Sequence, residues 1–439
     1  VRVKLVSLED GITATGFRKF AAYATRINQD TTSYYVSTSR WSSITGAIKG
    51  TIGGKPEDIP DEQVDEMAQE LADADMVGFS SMSGYSQLTH RLSCRVRELS
   101  PQTYQVWGGI HPIIHPQDAI TAPVDAICTG EGEFAYEQLL GHLRAGTDPR
   151  ETRNFWFRDW QGDPGDARQN LFLPLMSSQD MDGLPFAQYG ARGEQVYRPG
   201  QGFQPMAVDD YLVNDGLSYT AIWSIGCPFH CTYCGNTAFI ANDKLYKKIR
   251  HPSARYIVDE VKAVRERFGH LSQVSFLDDS FMAIPYRELE QFAELWRAEV
   301  DLPFAVYGVI PNYVKRDKFE VLTWAGMNRI RMGVQSGSQR ILDFYKRPSP
   351  PAKILAAGEV ASSFAPKFHI PPVYDVIMDN PIETRQDVVD TLQLFYDMPR
   401  PFSLLIYSLK VIPNTELARS MVEEGIDLEE ISASYLWVS

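Results

Sequence analysis

Two long stretches of this sequence alternate short apolar runs with amphipathic helical segments, and that alternation most restricts the fold. Residues 1–145 give apolar runs at 3–8, 76–80 (MVGFS), 104–107 and 125–128. Helical segments at 63–74, 88–99 and 134–143 follow or separate them. Strands spaced by helices predict an α/β, doubly wound, Rossmann-like domain over 1–145. Ligands of such sheets sit outside the carboxyl ends of the strands. The Ser- and Gly-rich turns of this region fall at those ends. Residues 216–412 alternate again, with candidate strands at 219–225, 273–277, 304–309, 329–333, 368–377 and 403–409. Between the first two, Ile257, Val258, Val261, Val264 and Phe268 recur at helical spacing on one face. Six strand–helix units predict a partial (βα)6 barrel, short of the eight units of a closed one. Residues 146–215 are rich in Gly, Pro, Asp, Arg and Gln, show little periodicity, and read as a connector. Residues 413–439 read as a short, acidic, helical C-terminal segment that ends on Tyr435, Leu436 and Trp437.

Composition narrows the partners. The 439 residues are 44% hydrophobic and 22% charged, which excludes disorder, collagen-like repeats and coiled coil. Forty-two Lys and Arg against 56 Asp and Glu give a net charge of −14. Such a field opposes a nucleic-acid partner and an anionic membrane surface. No run of 18 apolar residues could span a bilayer. The first residues read as a strand and not as a signal peptide, and a chain starting at Val points to a trimmed N-terminus.

Five cysteines remain: Cys94, Cys128, Cys227, Cys231 and Cys234. The number is odd and three lie within eight residues, so this is no disulfide framework. It reads as a metal or cluster site in a reducing, cytoplasmic compartment. CPFHCTYC (227–234) follows a strand and Gly226, which turns the chain. Three thiolates at this spacing can fold around one iron–sulfur cluster. A four-iron cubane would then keep one iron without a protein ligand, where a small molecule can chelate and receive an electron. Zinc would need a fourth ligand; His230 is adjacent, but in that role it would crowd Cys231.

CxxxCxxC after the first barrel strand, with Tyr233 before the third Cys, resembles the radical S-adenosylmethionine (SAM) superfamily over 219–410. Further family features match in order. FLDD ends the second strand, and the resemblance places the methionyl amino group of SAM at Asp278 and Asp279. GVQSGS ends the fourth, where Gln335 and Ser336 would meet ribose and carboxylate. DVIMDNPIET lies at the fifth, putting Asp375 and Ile377 near adenine. Asp379 stands where the family usually has Gly, and Gln335 where many members have Glu. Metal ligands under this resemblance are Cys227, Cys231 and Cys234, and Tyr233 joins the SAM contacts. The resemblance implies a [4Fe–4S] cluster that reductively cleaves SAM to methionine and a 5′-deoxyadenosyl radical. That radical abstracts hydrogen from an unactivated carbon.

In the first domain, MVGFSSMS, VWGGIHP and GEGE resemble the cobalamin-binding domain that precedes many radical SAM barrels. The connector's MDGLPF resembles the entry segment of that subfamily. The resemblance implies cobalamin contacts at Ile12, Thr13, Ser80, Ser81, Ser83, Gly108, Gly109, Ile110, Gly130, Glu131 and Gly132. Glycines would let the backbone approach a corrin closely, and serine hydroxyls would donate to its amides or phosphate. Cobalamin mutases carry a cobalt-ligating His after the first strand. Here Ile12 stands in its place, and His111 and His115 lie elsewhere. Base-off cobalamin with no His ligand is the expectation, and His111 reads as a turn residue.

The function that follows is a cobalamin-dependent radical SAM enzyme, a C-methyltransferase that takes its methyl group from methylcobalamin. The alternative keeps the cofactors but oxidises, cyclises or rearranges rings without methylating. A methylthiotransferase would need three further N-terminal cysteines, and a cobalamin carrier would not need the cysteine triplet. Expected partners are a small-molecule or peptide substrate and a one-electron donor such as flavodoxin or ferredoxin. Tyr307, Asn312, Arg331, Tyr374 and Tyr407 are further candidates for the barrel lumen.

Overall fold

The computed structural model describes residues 1–9, 14–36, 59–190, 193–207, 210–211 and 218–428. Contacts divide the chain into two compact units, Val1–Met176 with Gly183–Leu212, and Ser177–Asp182 with Val213–Ser439.

The described part of the first unit is built on β1 (Val3–Ser7), β2 (Thr31–Tyr35), β3 (Met76–Ser80), β4 (Tyr104–Gly108), β5 (Ala126–Cys128), β6 (Phe155–Phe157), β7 (Arg168–Gln169), β8 (Glu194–Arg198) and β9 (Gly202–Pro205). Their order is β7-β6-β5-β4-β3-β1-β2-β8-β9. The six inner strands from β5 to β8 are parallel, and β6, β7 and β9 add antiparallel rims. Strand alternation sends side chains to two cores. Val6, Tyr34, Val77, Phe79 and Trp107 meet Met67, Leu71, Leu92 and Val96 of the helices Asp61–Leu71 and Ser86–Leu99. Val3, Leu5, Tyr35, Met76 and Val106 meet Phe17, Ala21, Tyr136 and Leu139 of the helices Thr15–Ile27 and Glu133–Ala145. Helices on both faces make the sheet doubly wound. β1 lies between β3 and β2, so the strand order reverses there and the ligand crevice of such a fold opens beside β1.

Residues 146–215 differ from the expected connector. They supply β6–β9, four strands of this sheet. Each is only two to five residues long, and β6 and β8 join the sheet through partners distant in sequence, β5 and β2, so no local period marks them.

The second unit carries β10 (Ser218–Ala221), β11 (Gln273–Phe276), β12 (Phe304–Val309), β13 (Met327–Gln335), β14 (Val373–Met378) and β15 (Ser403–Ser408) in sequential order. All neighbours are parallel, as a partial barrel requires. The helices between them start and stop on local signals. The Ser253 hydroxyl accepts from Tyr256 N at 3.2 Å and caps Ala254–Arg267. Gly326, at φ 118°, closes Arg316–Ala325 in the left-handed region. Trp223, Phe276, Phe281, Phe292, Trp296 and Phe304 stack into one fully buried aromatic cluster behind β11 and β12. The helix Glu416–Glu423 packs Leu417 and Met421 against Ile341, Tyr345, Ile377 and Leu409. Among the described residues no helix is long and apolar enough to cross a membrane.

Candidate active site

The cysteine loop leaves β10 through Gly226, whose φ of 101° belongs to the left-handed region open to glycine. It is tied down on several sides. Cys227 N donates to Tyr246 O at 3.1 Å, and Ile225 and Arg250 exchange backbone bonds. Thr232 N donates to Tyr345 O at 3.0 Å, and its hydroxyl to Phe344 O at 3.1 Å. Cys234 N closes a turn onto Cys231 O at 3.0 Å. The three cysteines converge closely enough for their charges to interact. Burial pushes the free thiols up, to about 11 at Cys227 and about 12 at Cys234. Cluster ligands are thiolates, so loading this site releases protons. His230 turns away and sets Nε2 4.0 Å from Glu416.

A residue that sequence reasoning missed stands beside the loop. Arg347 is 8% exposed. Its Nη1 points at Cys231 Sγ from 3.7 Å, and its Nη2 donates to Gly333 O at 2.8 Å. Its buried Nε has no acceptor among the described residues. A buried guanidinium with an idle donor, next to three thiols, is costly unless an anion completes it. A cluster of thiolates, or a carboxylate bound on it, would do so. Local sequence gives no hint, because the chain returns Arg347 to Gly333 only after the helix Gln339–Phe344.

The acidic pair after β11 splits into two roles. Asp278 is buried and spent within the protein. Its Oδ1 accepts from Ser224 N and Oγ at 2.5 Å each, and its Oδ2 from Trp223 N at 3.2 Å. Burial pushes its carboxyl up to about 6. Within the protein, Asp278 braces the segment that leads into the cysteines. Asp279 keeps its carboxylate open to solvent within a crowded recess, 2.9 Å from Asn236 Nδ2 and within electrostatic reach of Cys227 and Cys234.

At the end of β13, Gln335 adopts φ 74°, unusual for a non-glycine residue and a mark of stored strain. Its amide folds back over Gly333 beside Arg347, so that a Cβ on Gly333 would fall 2.5 Å from Gln335 Nε2. Ser336 follows it with its hydroxyl turned into the protein. It is fully buried, with its hydroxyl 3.2 Å from Thr391 Oγ1 and accepting from Ser338 N at 3.1 Å. Asp379 takes φ 60°, the left-handed conformation that glycine would adopt freely, and its Oδ2 accepts from Ser408 Oγ at 2.7 Å. The backbone turn is thus kept although the glycine is not.

Asp375 projects to the same side of β14 as a polar group from neighbouring strands. Arg331 Nε donates to both its oxygens at 2.7 and 2.9 Å, and Nη2 reaches Tyr407 OH. The Tyr307 ring lies 5.9 Å from the guanidinium. Ile377 is buried in the apolar cluster with Tyr345 and Leu409. Tyr233 lies edge-on to Tyr345 at 5.0 Å. Two lumen candidates are corrected. Tyr374 is fully buried against Phe402, and Asn312 is committed to Pro348 O and the Ser349 hydroxyl.

The loop after β13 depends on one carboxylate from the helix Arg385–Asp397. Asp387 accepts from Ser338 Oγ at 2.5 Å and Thr384 Oγ1 at 2.6 Å, and pairs with Arg340. Arg340 first, then the two hydroxyls, hold its carboxyl well below the usual range. A depressed carboxyl stabilises the fold above its unfolded value and loses that contribution as the pH falls. Asp387→Asn is therefore expected to cost about 2 kcal/mol near pH 7. The deficit should shrink below about pH 4, where the unfolded carboxyl is protonated. Urea titrations of both chains at the two pH values check this; a pH-independent deficit would contradict it.

In the first unit the sequence-derived contacts gather at the carboxyl ends of β3, β4 and β5. Ser80 Oγ donates to Glu9 Oε1 at 3.1 Å, linking the ends of β3 and β1 at the reversal of strand order. Glu9 was not singled out in the sequence; burial raises its carboxyl. Gly109, at φ 89°, lets the turn press on β3, because a Cβ there would meet Ser80 Oγ and Ser81 N at 2.8 Å. The turn itself therefore requires glycine here. A Cβ on Gly130 would likewise strike Asn154 at 2.9 Å, and one on Gly132 would touch Phe20 at 3.3 Å. Gly108 has no such neighbour closer than 3.8 Å. Ser81 is fully buried, and its hydroxyl accepts from Trp107 Nε1 at 2.9 Å and Thr89 Oγ1 at 3.1 Å. Ser83 faces His111 Nδ1 at 3.1 Å. Glu131 accepts from Met176 N at 2.8 Å. Met82 and Ile110 expose their apolar side chains beside these turns, 43% and 38% accessible. Exposed apolar groups rimmed by polar strand ends suit a large, partly apolar ligand such as a corrin. Ile12 and Thr13 lie outside the described residues.

Comparison with known families agrees with both halves. Residues 222–395 match the radical SAM superfamily, and residues 53–140 match the B12 binding domain. The chain carries the two domains of the cobalamin-binding radical SAM enzymes. Its domains bring with them the expected cofactor set, a [4Fe–4S] cluster with SAM in one and cobalamin in the other. Cytidylyl-2-hydroxyethylphosphonate methyltransferase of Streptomyces wedmorensis is 25% identical over 385 residues, covering 81% of this chain and 68% of that protein. The fold is shared with the radical SAM methyltransferase TsrM of Kitasatospora setae, with TM-score 0.71 at 15% identity over 97% of this chain and 76% of TsrM. It is shared too with the cobalamin-dependent radical SAM enzyme OxsB, with TM-score 0.68 at 15% identity over 97% of this chain. The chain spans 61% of the length of OxsB.

Proposed function

We propose that this cobalamin-binding radical SAM enzyme is a C-methyltransferase acting on an unactivated carbon of a small molecule or peptide. The observation that carries the reading is Arg347. A buried guanidinium with an idle Nε, aimed at a cysteine triplet, is the environment an anionic cluster and a chelating carboxylate would complete. When bound, the cluster and SAM supply the radical, and cobalamin supplies the methyl group.

The chain's own residues bind and orient. Cys227, Cys231 and Cys234 hold the cluster. Arg347 pairs with the methionyl carboxylate of SAM, and the open Asp279 with its ammonium. Gln335 offers its amide toward the ribose. Asp375 is held by Arg331 for a hydroxyl or amine, and Ile377 lends apolar surface through its edge. Tyr233 shields the cluster loop on its Tyr345 side. Cobalamin takes the strand ends of the first unit: Ser80 and Ser83, the Gly108–Ile110 turn with Met82, and the Gly130–Gly132 turn with Glu131. Reduction comes from a one-electron donor of the flavodoxin or ferredoxin kind.

The phosphonate methyltransferase relative supports methyl transfer over the non-methylating alternative. The test is anaerobic reconstitution with iron, sulfide and cobalamin, followed by SAM and dithionite, read by mass spectrometry and visible absorption. Deoxyadenosine with a methylcobalamin spectrum supports the methyltransferase. Deoxyadenosine with cobalamin that is never methylated moves the chain to the oxidising or rearranging class.

A further inference from the structure

Three of the chain's eight histidines meet on one carboxylate in the first unit, far in sequence from the cysteine loop. His111, His115 and Asp118 bring one donor atom each within 4.8 Å of one another. His111 Nε2 lies 2.8 Å from Asp118 Oδ2, and His90 Nε2 lies 3.3 Å from the same oxygen. His115 stands edge-on to His111 at 5.8 Å. The residues come from three separate helices: Ser86–Leu99, Ile110–Ile114 with the residue that caps it, and Pro116–Ala119.

The donors are preset. His111 is 2% exposed. Its ring stacks on Trp107 at 5.1 Å and 26°, and its Nδ1 faces Ser83 Oγ at 3.1 Å. That fixes the ring's plane and leaves Nε2 turned to the centre of the cluster. Such a hydrogen bond on the far nitrogen is the usual support of a metal-bound imidazole. His90 is held edge-on to the other side of Trp107 at 5.2 Å. A turn explains the place of His111 in the chain, but not why two imidazoles reach one Oδ2 and a third brings a ring nitrogen within 4.8 Å.

We propose that His90, His111, His115 and Asp118 form a mononuclear site for a divalent transition-metal ion, Zn(II) in preference. Three neutral imidazoles and one carboxylate make a borderline donor set that suits zinc and discriminates against calcium or magnesium. Zinc bonds of about 2.0–2.1 Å in a tetrahedron place ligand atoms about 3.3 Å apart. The His90–Asp118 spacing already has that value, and the His111–Asp118 pair needs to open by about half an ångström. Four protein ligands leave no open position, so the ion is structural. It would pin the two short helices after β4 to the start of Ser86–Leu99, and so hold the Gly108–Ile110 turn.

The test uses the full chain with Cys94, Cys227, Cys231 and Cys234 changed to Ser, so that exposed and cluster thiols do not compete. Zn(II) is titrated anaerobically against a chromophoric chelator, and thermal unfolding is followed with and without Zn(II). One Zn(II) per chain and a raised unfolding midpoint are expected. In that background His115→Gln should weaken binding by more than the about 10- to 100-fold that outer-sphere changes cost. Ser83→Ala should weaken it by about 10-fold. Among the described residues half-buried His115 makes one ring contact, with His111, besides its backbone bonds, so His115→Gln without metal should unfold as its parent does. If the serine background does not fold, the same comparison is made on the reconstituted holo-chain, whose cluster thiolates are occupied. Absence of Zn(II) uptake, or equal affinity in His115→Gln, overturns the site.

Discussion

Cys231→Ala reduces deoxyadenosine formation to background while cobalamin remains bound. The expectation follows from where the sulfur sits. Cys231 is the buried member of the triplet, with its Sγ 3.7 Å from Arg347 Nη1. Two remaining thiolates cannot hold a cubane in place, and the variant also strips Arg347 of the anion nearest to it. An uncompensated buried charge disfavours the loop's closed form as well. Loss of activity should therefore come with loss of the cluster's visible absorption. The strand ends proposed for cobalamin belong to the other compact unit. Cys94→Ala is the matching control: that thiol is exposed on the helix Ser86–Leu99. The readouts are deoxyadenosine by mass spectrometry, iron and sulfide content, and the cobalamin spectrum after desalting. Continued SAM cleavage by Cys231→Ala would remove the cluster assignment.

The parts of this fold that could be read in sequence are those whose signal is local. β3 is visible as MVGFS because a parallel strand covered on both faces is apolar throughout. β12 (FAVYGV) shows for the same reason. β2 (TTSYY) does not: Thr31 and Ser33 are buried beside Tyr34 and Tyr35, and its polar spelling hides a central strand. β8 reads EQVYR, and its Glu194 is buried only because Arg18 meets it from 176 residues away. The cysteine triplet was legible because its chemistry is written in spacing alone. Which acid of the Asp278–Asp279 pair faces inward was not, since that depends on how the chain leaves β11. The same holds for Ser81 and Ser336, whose hydroxyls turn into the protein at strand ends that otherwise match expectation. Arg347 and the His111 cluster are purely tertiary: each forms only when the chain returns to a distant strand end.

Arg18→Met is expected to destabilise the first unit by about 3–5 kcal/mol. Arg18 and Glu194 form an ion pair with both side chains fully buried, at 2.8 Å. Arg18 Nη1 also donates to Gln188 O at 2.8 Å. The guanidinium lies 4.3 Å from the Tyr35 ring and 4.4 Å from that of Tyr189, which adds cation–π attraction in a desolvated site. Burying the two charges costs several kcal/mol each, and their mutual bonds roughly repay it. Removing only the cation takes from Glu194 both its bond at 2.8 Å and the charge that balances it in the interior. The pair joins the helix Thr15–Ile27 to β8, so its loss also frees a strand that lies outside the central part of the sheet. The double variant Arg18→Met, Glu194→Met should recover most of the deficit, because apolar groups of similar volume replace both charges. A chain of two units need not unfold in one step. The transition of the first unit is therefore followed by hydrogen exchange at β1 and β2 amides under rising urea. A single variant no less stable than the double would show that Glu194 is not left uncompensated, and that the pair contributes only packing.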